Sequence, residues 1–289
     1  MKLLVLLTTT GFLSAHCFGQ TDSAEIKPSS DSTKTKANLT LGLVYSNNAN
    51  YYGQRAAENM PYAAAAANYR LRSGIYFTGM AYKLLNDTGG LVSASNLGAG
   101  IAFKLSRLLA LDISYSHTFY PTYSPFLQAA NPDNASAGFT YTNWLSSNLS
   151  VDYAFGKTKD FFVTVGIAKA VNLGSLGQKD IITITPAFDI VGGTQHFYQT
   201  YITEKRLRDS LLGVLLPPLT GDPSTGASTT TTTSTEVNLL SYNFKFPIAY
   251  NRANYMLEAA YQLSILSRKA ESAAGKANSF VSFSFYYQF

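Results

Sequence analysis

Apolar and polar residues alternate along most of this chain in stretches of roughly ten residues, separated by runs rich in Gly, Pro, Asn and Ser. Strand side chains point to opposite faces with a period of two, so the pattern predicts β-strands with one apolar and one polar face. Twelve stretches can be placed: residues 38–46, 61–71, 74–84, 93–105, 108–119, 143–155, 161–170, 180–190, 194–202, 236–249, 253–266 and 277–289. In the clearest, Tyr255, Leu257, Ala259, Tyr261, Leu263 and Ile265 alternate with Asn254, Met256, Glu258, Ala260, Gln262 and Ser264. Leu240, Tyr242, Phe244, Phe246, Ile248 and Tyr250 alternate in the same way with Leu239, Ser241, Asn243, Lys245 and Pro247. The eighth and ninth stretches are the least regular, because Pro186 interrupts one and the other lacks a clean apolar face; without both, the alternative count is ten.

The last stretch carries the most specific signal. Val281, Phe283, Phe285, Tyr287 and Phe289 share one face, and the chain as given ends on that phenylalanine. In a soluble sheet so aromatic an edge would be an aggregation hazard. It resembles the C-terminal signature of Gram-negative outer-membrane β-barrels. That resemblance implies that Phe283, Phe285, Tyr287 and Phe289 form an assembly signal read by the barrel-assembly machinery.

The connections bear on the same question independently. Those at 72–73, 106–107, 156–160, 191–193 and 251–252 are short and fall on one side of the array. Those near 47–60, 85–92, 121–142, 171–179, 203–235 and 267–276 are longer and fall on the other. Bacterial barrels have this asymmetry, with short periplasmic turns and longer external loops. After the N-terminal leader no segment approaches the ~18 consecutive apolar residues of a membrane-crossing helix. A closed barrel is the other structure that satisfies every backbone polar group in lipid. The expectation is an all-β, antiparallel, up-and-down transmembrane barrel of twelve strands over residues 38–289, with both ends periplasmic.

Met1 and Lys2 followed by the mostly apolar Leu3 to Phe18 have the layout of a secretory signal peptide. A cut after Gly19 leaves 289 − 19 = 270 residues. The one cysteine, Cys17, follows His16, where a lipoprotein signal needs a small residue, and its removal leaves no thiol chemistry. Residues 20–37 are polar, aperiodic and rich in Ser, Thr and Lys, as in a disordered periplasmic segment. Charged residues make up 13% of the chain, about half the ordinary globular share. The net charge of +5 comes from scattered basic residues, with no stripe of the kind that binds nucleic acid, so the expected surroundings are outer-membrane lipid.

Lys or Arg on the lipid face would cost ~2–4 kcal/mol at the midplane, so the polar faces should line the lumen. The candidate pore-lining charges are Arg70, Lys104, Asp112, Asp152, Lys245 and Glu258, with Asp189 on a less regular strand. A water-filled pore would use them to select solutes by sign; a filled barrel would pair them in an internal ion network. The small residues Ala64, Ala66, Gly98, Gly100, Ala102, Gly166 and Ala168 leave space and favour a narrow pore. The large loop from Thr203 to Thr235 opens with a helix-compatible run, Glu204 to Leu216, and can fold inward to constrict the pore or remain an ordinary surface loop. Asp22-Ser23-Ala24, Asp31-Ser32-Thr33 and Asp209-Ser210-Leu211 resemble the O-glycosylation signal of the Bacteroidota.

Catalysis finds little support. His117 and His196 are the two histidines after the leader. Ser116 and His117 point to opposite faces of one strand, so His117 cannot act as base for its neighbour. Asp133 is available to His117 as half of an omptin-type arrangement, but no second pair accompanies it, and two isolated histidines without cysteine do not make a zinc site. No cofactor motif occurs. The chain reads as a porin-like channel for passive diffusion of small hydrophilic solutes. The alternative is a non-conducting structural or adhesive barrel that binds a partner through loops such as 47–60 and 121–142.

Overall fold

In a computed structural model of the chain, the described residues are 37–289 except 88–89, 123, 199, 204, 206–235 and 272–274. The expected leader, nearly all of the polar segment 20–37, the three glycosylation-like triplets and most of the loop 203–235 lie outside them.

Among the described residues fourteen strands form a single antiparallel sheet: β1 (Asn38–Ser46), β2 (Tyr62–Arg70), β3 (Ile75–Leu84), β4 (Ala94–Lys104), β5 (Leu109–Phe119), β6 (Asp133–Thr142), β7 (Ser146–Phe155), β8 (Lys159–Ala168), β9 (Val171–Gly174), β10 (Asp180–Ile184), β11 (Ala187–Gly193), β12 (Asn238–Arg252), β13 (Tyr255–Leu266) and β14 (Ala277–Gln288). Strands β1 to β7 each pair with the next, β8 pairs with β11, β11 with β12, β12 with β13, β13 with β14, and β14 returns to β1, which closes the sheet as a barrel of twelve strands. Closure leaves no free edge at membrane depth.

The two extra strands are continuations. β9 prolongs β8, and β10 precedes β11 along the same flank of β12, pairing with Ile248–Arg252 while β11 pairs with Asn238–Lys245. Two prolines cause the break. Thr185 N donates to Pro247 O at 3.0 Å, but Pro247 has no N–H to return, and Pro186 likewise donates nothing. A split strand tolerates both residues where a continuous ladder would not.

Twelve strands close the barrel as the alternation predicts, but they are not the same twelve. Asp133–Thr142, expected inside a long loop, is β6, with Ala135, Ala137, Phe139 and Tyr141 alternating against Asn134, Ser136, Gly138 and Thr140. Residues 194–202, expected as the ninth strand, are instead helical at 196–198 and 200–203, with Phe197 and Tyr201 buried one turn apart. The missed strand and the surplus strand cancel, so the count and the common side of both ends survive. The sides assigned between them invert. The connections at 156–158 and after Gly193 lie opposite the chain ends, and the hairpin tip at 175–179 lies with them. Residues 191–193, expected as a turn, complete β11. Within β12, a register shift near Val191 makes Leu240 face inward, fully buried, where simple alternation places it outward.

The outward face is apolar. Leu43, Phe77, Leu97, Phe246, Leu257 and Phe283 are all exposed large hydrophobics on strands from both halves of the chain. Only lipid accommodates such a belt without a protein partner. Tyr45, Tyr153, Tyr261 and the four residues Phe283, Phe285, Tyr287 and Phe289 are also exposed outward. The chain forms a closed β-barrel with an apolar belt of the kind that faces lipid, and no helix among the described residues is long and apolar enough to cross a bilayer.

Candidate functional site: a polar lumen and its loop plug

Inward positions of the strands build a polar wall. Near the chain ends, the Arg70 guanidinium sits 5.0 Å from the centroid of the Tyr76 ring, and Tyr76 OH donates to Asp112 Oδ1 at 2.8 Å. Across the barrel, Lys245 Nζ lies 2.5 Å from Asp189 Oδ2, with both side chains buried. Higher in the lumen, Gln262 donates to Asn243 and Ser264, and Asn243 donates to Ser241. Asp152 accepts from Ser136 Oγ at 2.6 Å and from Tyr52 OH at 3.2 Å.

These side chains are shut away from solvent. Asp152 is 0% exposed, Asp189 1%, Asp112 4%, Lys245 6% and Glu258 8%. The glycines expected to leave space do not. A Cβ on Gly98 would meet Thr78 Oγ1 at 2.6 Å, one on Gly100 Tyr76 OH at 2.4 Å, and one on Gly166 Asp189 Oδ1 at 2.0 Å. Each glycine makes room for a neighbour's side chain, and the lumen is filled rather than open.

The connection between β1 and β2 takes part in that filling. Instead of standing outside as a surface loop, residues 48–60 turn into the barrel. Tyr51 and Gln54 form a two-residue hairpin whose tip, Tyr52 (φ 52°) and Gly53 (φ 84°), has the left-handed backbone of a type I′ turn. At Gly53 only glycine fits, because a Cβ would also strike Asn243 Oδ1 at 2.6 Å. The tip is seated by hydrogen bonds: Ser241 Oγ donates to Tyr52 O at 2.8 Å and Asn278 Nδ2 to Gly53 O at 3.0 Å. Towards β8, two strands round the wall from β12, the Tyr52 ring stacks on Phe162 with centroids 3.8 Å apart. The plug therefore touches the wall at β12 and β14 and at β7 and β8. Asn48 Oδ1 fixes its far end by accepting from Met60 N at 3.1 Å.

A lid completes the closure at this end. The short 3-10 turn Leu127–Ala130 is wholly buried, and the helical segment from 196 packs Phe197 and Tyr201 against Tyr51, Phe162 and Leu240. Asp160 organises it. Its carboxylate accepts from Thr194 Oγ1 (2.7 Å), Asn131 Nδ2 (2.7 Å), His196 N (2.8 Å) and Phe197 N (2.9 Å). A buried carboxylate on the first amides of a helix is favoured by the helix dipole and by charge-assisted hydrogen bonds. Burial, and then the charge of Glu271, push the Tyr198 phenol up to about 12, so it stays neutral in the lid.

The expected lumen residues are thus distributed unevenly. Arg70, Asp112, Asp152, Lys245 and Glu258 face inward, and Asp189 joins them, whereas Lys104 is exposed at the end of β4. His117 comes within 2.7 Å of Asp133 Oδ1 on the outward face, where Tyr115 OH also reaches that carboxylate at 2.5 Å. Ser116 pairs with Asn134 in the β5–β6 register, a position apart from the His117–Asp133 pair. Asp160, Tyr52 and the inward course of 48–60 were not singled out from the sequence. The residues of the I′ tip carry a readable turn signal in Gly53, but nothing local says that the turn enters a lumen.

No protein family and no curated protein matches the chain. Among solved structures it is similar to a KdgM porin, at 10% identity and TM-score 0.49 over 86% of this chain and 99% of that one. It is also similar to an outer-membrane channel from Pseudomonas putida F1, at 10% identity and TM-score 0.43 over 92% and 100%. A third similar structure is LpxR from Salmonella typhimurium, at 9% identity and TM-score 0.44 over 86% and 99%.

Proposed function

We propose that this barrel is a porin-like channel for passive passage of small hydrophilic solutes, held closed here by the plug 48–60. The observation that carries the reading is how the plug is attached. It belongs to one connection between neighbouring strands and is held by side-chain hydrogen bonds and ring packing, so it can leave without breaking any pair of the barrel ladder. The wall behind it is polar in its own right, with Ser241, Asn243, Gln262, Asn278 and Asp152 able to bond to water instead. A wall built only to pack would be apolar, since buried polar groups are costly unless satisfied.

The second reading, a non-conducting barrel that presents loops to a partner, is favoured by the aromatic seal of Tyr51, Tyr52, Phe162 and Phe197. Planar-bilayer recording separates the two. Refolded, heat-modifiable protein should show rare or small openings, and a variant with residues 47–60 replaced by a short turn should show frequent discrete steps. Silence from both would leave the non-conducting reading in place.

A further inference from the structure

We infer that the pathway through this barrel prefers cations to anions; this rests on the channel reading above. From the sequence the candidate charges balance, with three basic residues against three acidic. The fold changes the balance. Lys104 ends β4 exposed at the rim, while Asp189 enters the wall on β11. The inward wall then carries Asp112, Asp152, Asp160, Asp189 and Glu258 against Arg70 and Lys245, an excess of 5 − 2 = 3 negative charges.

A second observation points the same way. Asp189 is 1% exposed, and its Oδ1 has no hydrogen-bond partner, although its Oδ2 meets Lys245. That free oxygen overhangs Gly166 beside Asn148 Oδ1: a Cβ there would lie 2.0 Å from one and 2.4 Å from the other. Two acceptor oxygens thus converge on one spot of the wall, next to a missing side chain. Withdrawal of the plug leaves the bias in place. Arg55 and Glu58, one charge of each sign, leave with it, and the Asp152 carboxylate loses the Tyr52 hydroxyl and faces the opened lumen. Fixed carboxylates lining a narrow, low-dielectric passage concentrate cations and repel anions.

The test is the reversal potential of the variant lacking the plug, in planar bilayers under a potassium chloride gradient. The expected permeability to potassium exceeds that to chloride. Asp152→Asn combined with Glu258→Gln should lower the ratio, and Lys245→Met should raise it, each variant first checked for heat-modifiable migration. The sign for the parent barrel alone decides the matter if a variant fails to fold. A chloride preference, or a ratio indifferent to these carboxylates, would overturn the inference while leaving the channel intact. A plug-free barrel that conducts nothing would remove the channel reading itself, and this inference with it.

Discussion

At the scale of single residues, parity along a strand tells which way a side chain points but not what stands opposite. Lys245 and Asp189 are fifty-odd positions apart in sequence, yet adjacent strands β11 and β12 bring them within 2.5 Å in a buried pair. Removing one partner strands the other charge, which costs about 3–5 kcal/mol in a buried setting. Lys245→Met should therefore lower the urea midpoint of the folded, heat-modifiable form. Adding Asp189→Asn should recover much of the loss, whereas two independent contributions would simply sum. Gly166 illustrates the complementary case. Its lack of a side chain reads from sequence as space, and in the fold that space belongs to the Asp189 carboxylate.

At the scale of elements, the strands that were legible are those with large aromatic or aliphatic residues on one face, such as β12, β13 and β14. β6 is hard to read from the sequence because its outward positions begin with Asp133, Ala135 and Ala137, one charged and two too small to mark a face, and because Pro132 precedes it. The helical segment from 196 was mistaken for a strand because its burial rests on Phe197 and Tyr201, and the Asp160 carboxylate that starts it comes from a different strand. Turns offer sharper tests. Gly74, in the β2–β3 turn, has φ 90°, and a Cβ there would lie 2.3 Å from Ala102 O. Gly74→Ala should cost roughly 1–3 kcal/mol through backbone strain, seen as a lower denaturation midpoint with the barrel fold retained. The β10–β11 break should respond to its prolines. Pro247→Val restores a donor opposite Thr185, so hydrogen exchange at residues 184–187 should slow relative to the parent.

At the scale of the whole molecule, the corrected connectivity makes a topological claim open to direct measurement. The β7–β8 connection lies opposite the chain ends and the β6–β7 turn lies beside them. A single cysteine at exposed Lys157 should react with a membrane-impermeant maleimide on intact cells, and one at exposed Trp144 should react only after the outer membrane is permeabilised. The opposite pattern would return the strands from 143 to 202 to the sides that simple counting assigns them. Strand type, approximate count, the outward faces and the polar character of the lumen followed from the sequence alone, because each is set by local alternation against two solvents, lipid and water. The course of residues 48–60, the filling of the lumen and the sign of its charge were decided only by the tertiary structure. They depend on which side chains meet across a closed barrel, and strands far apart in the chain bring those groups together.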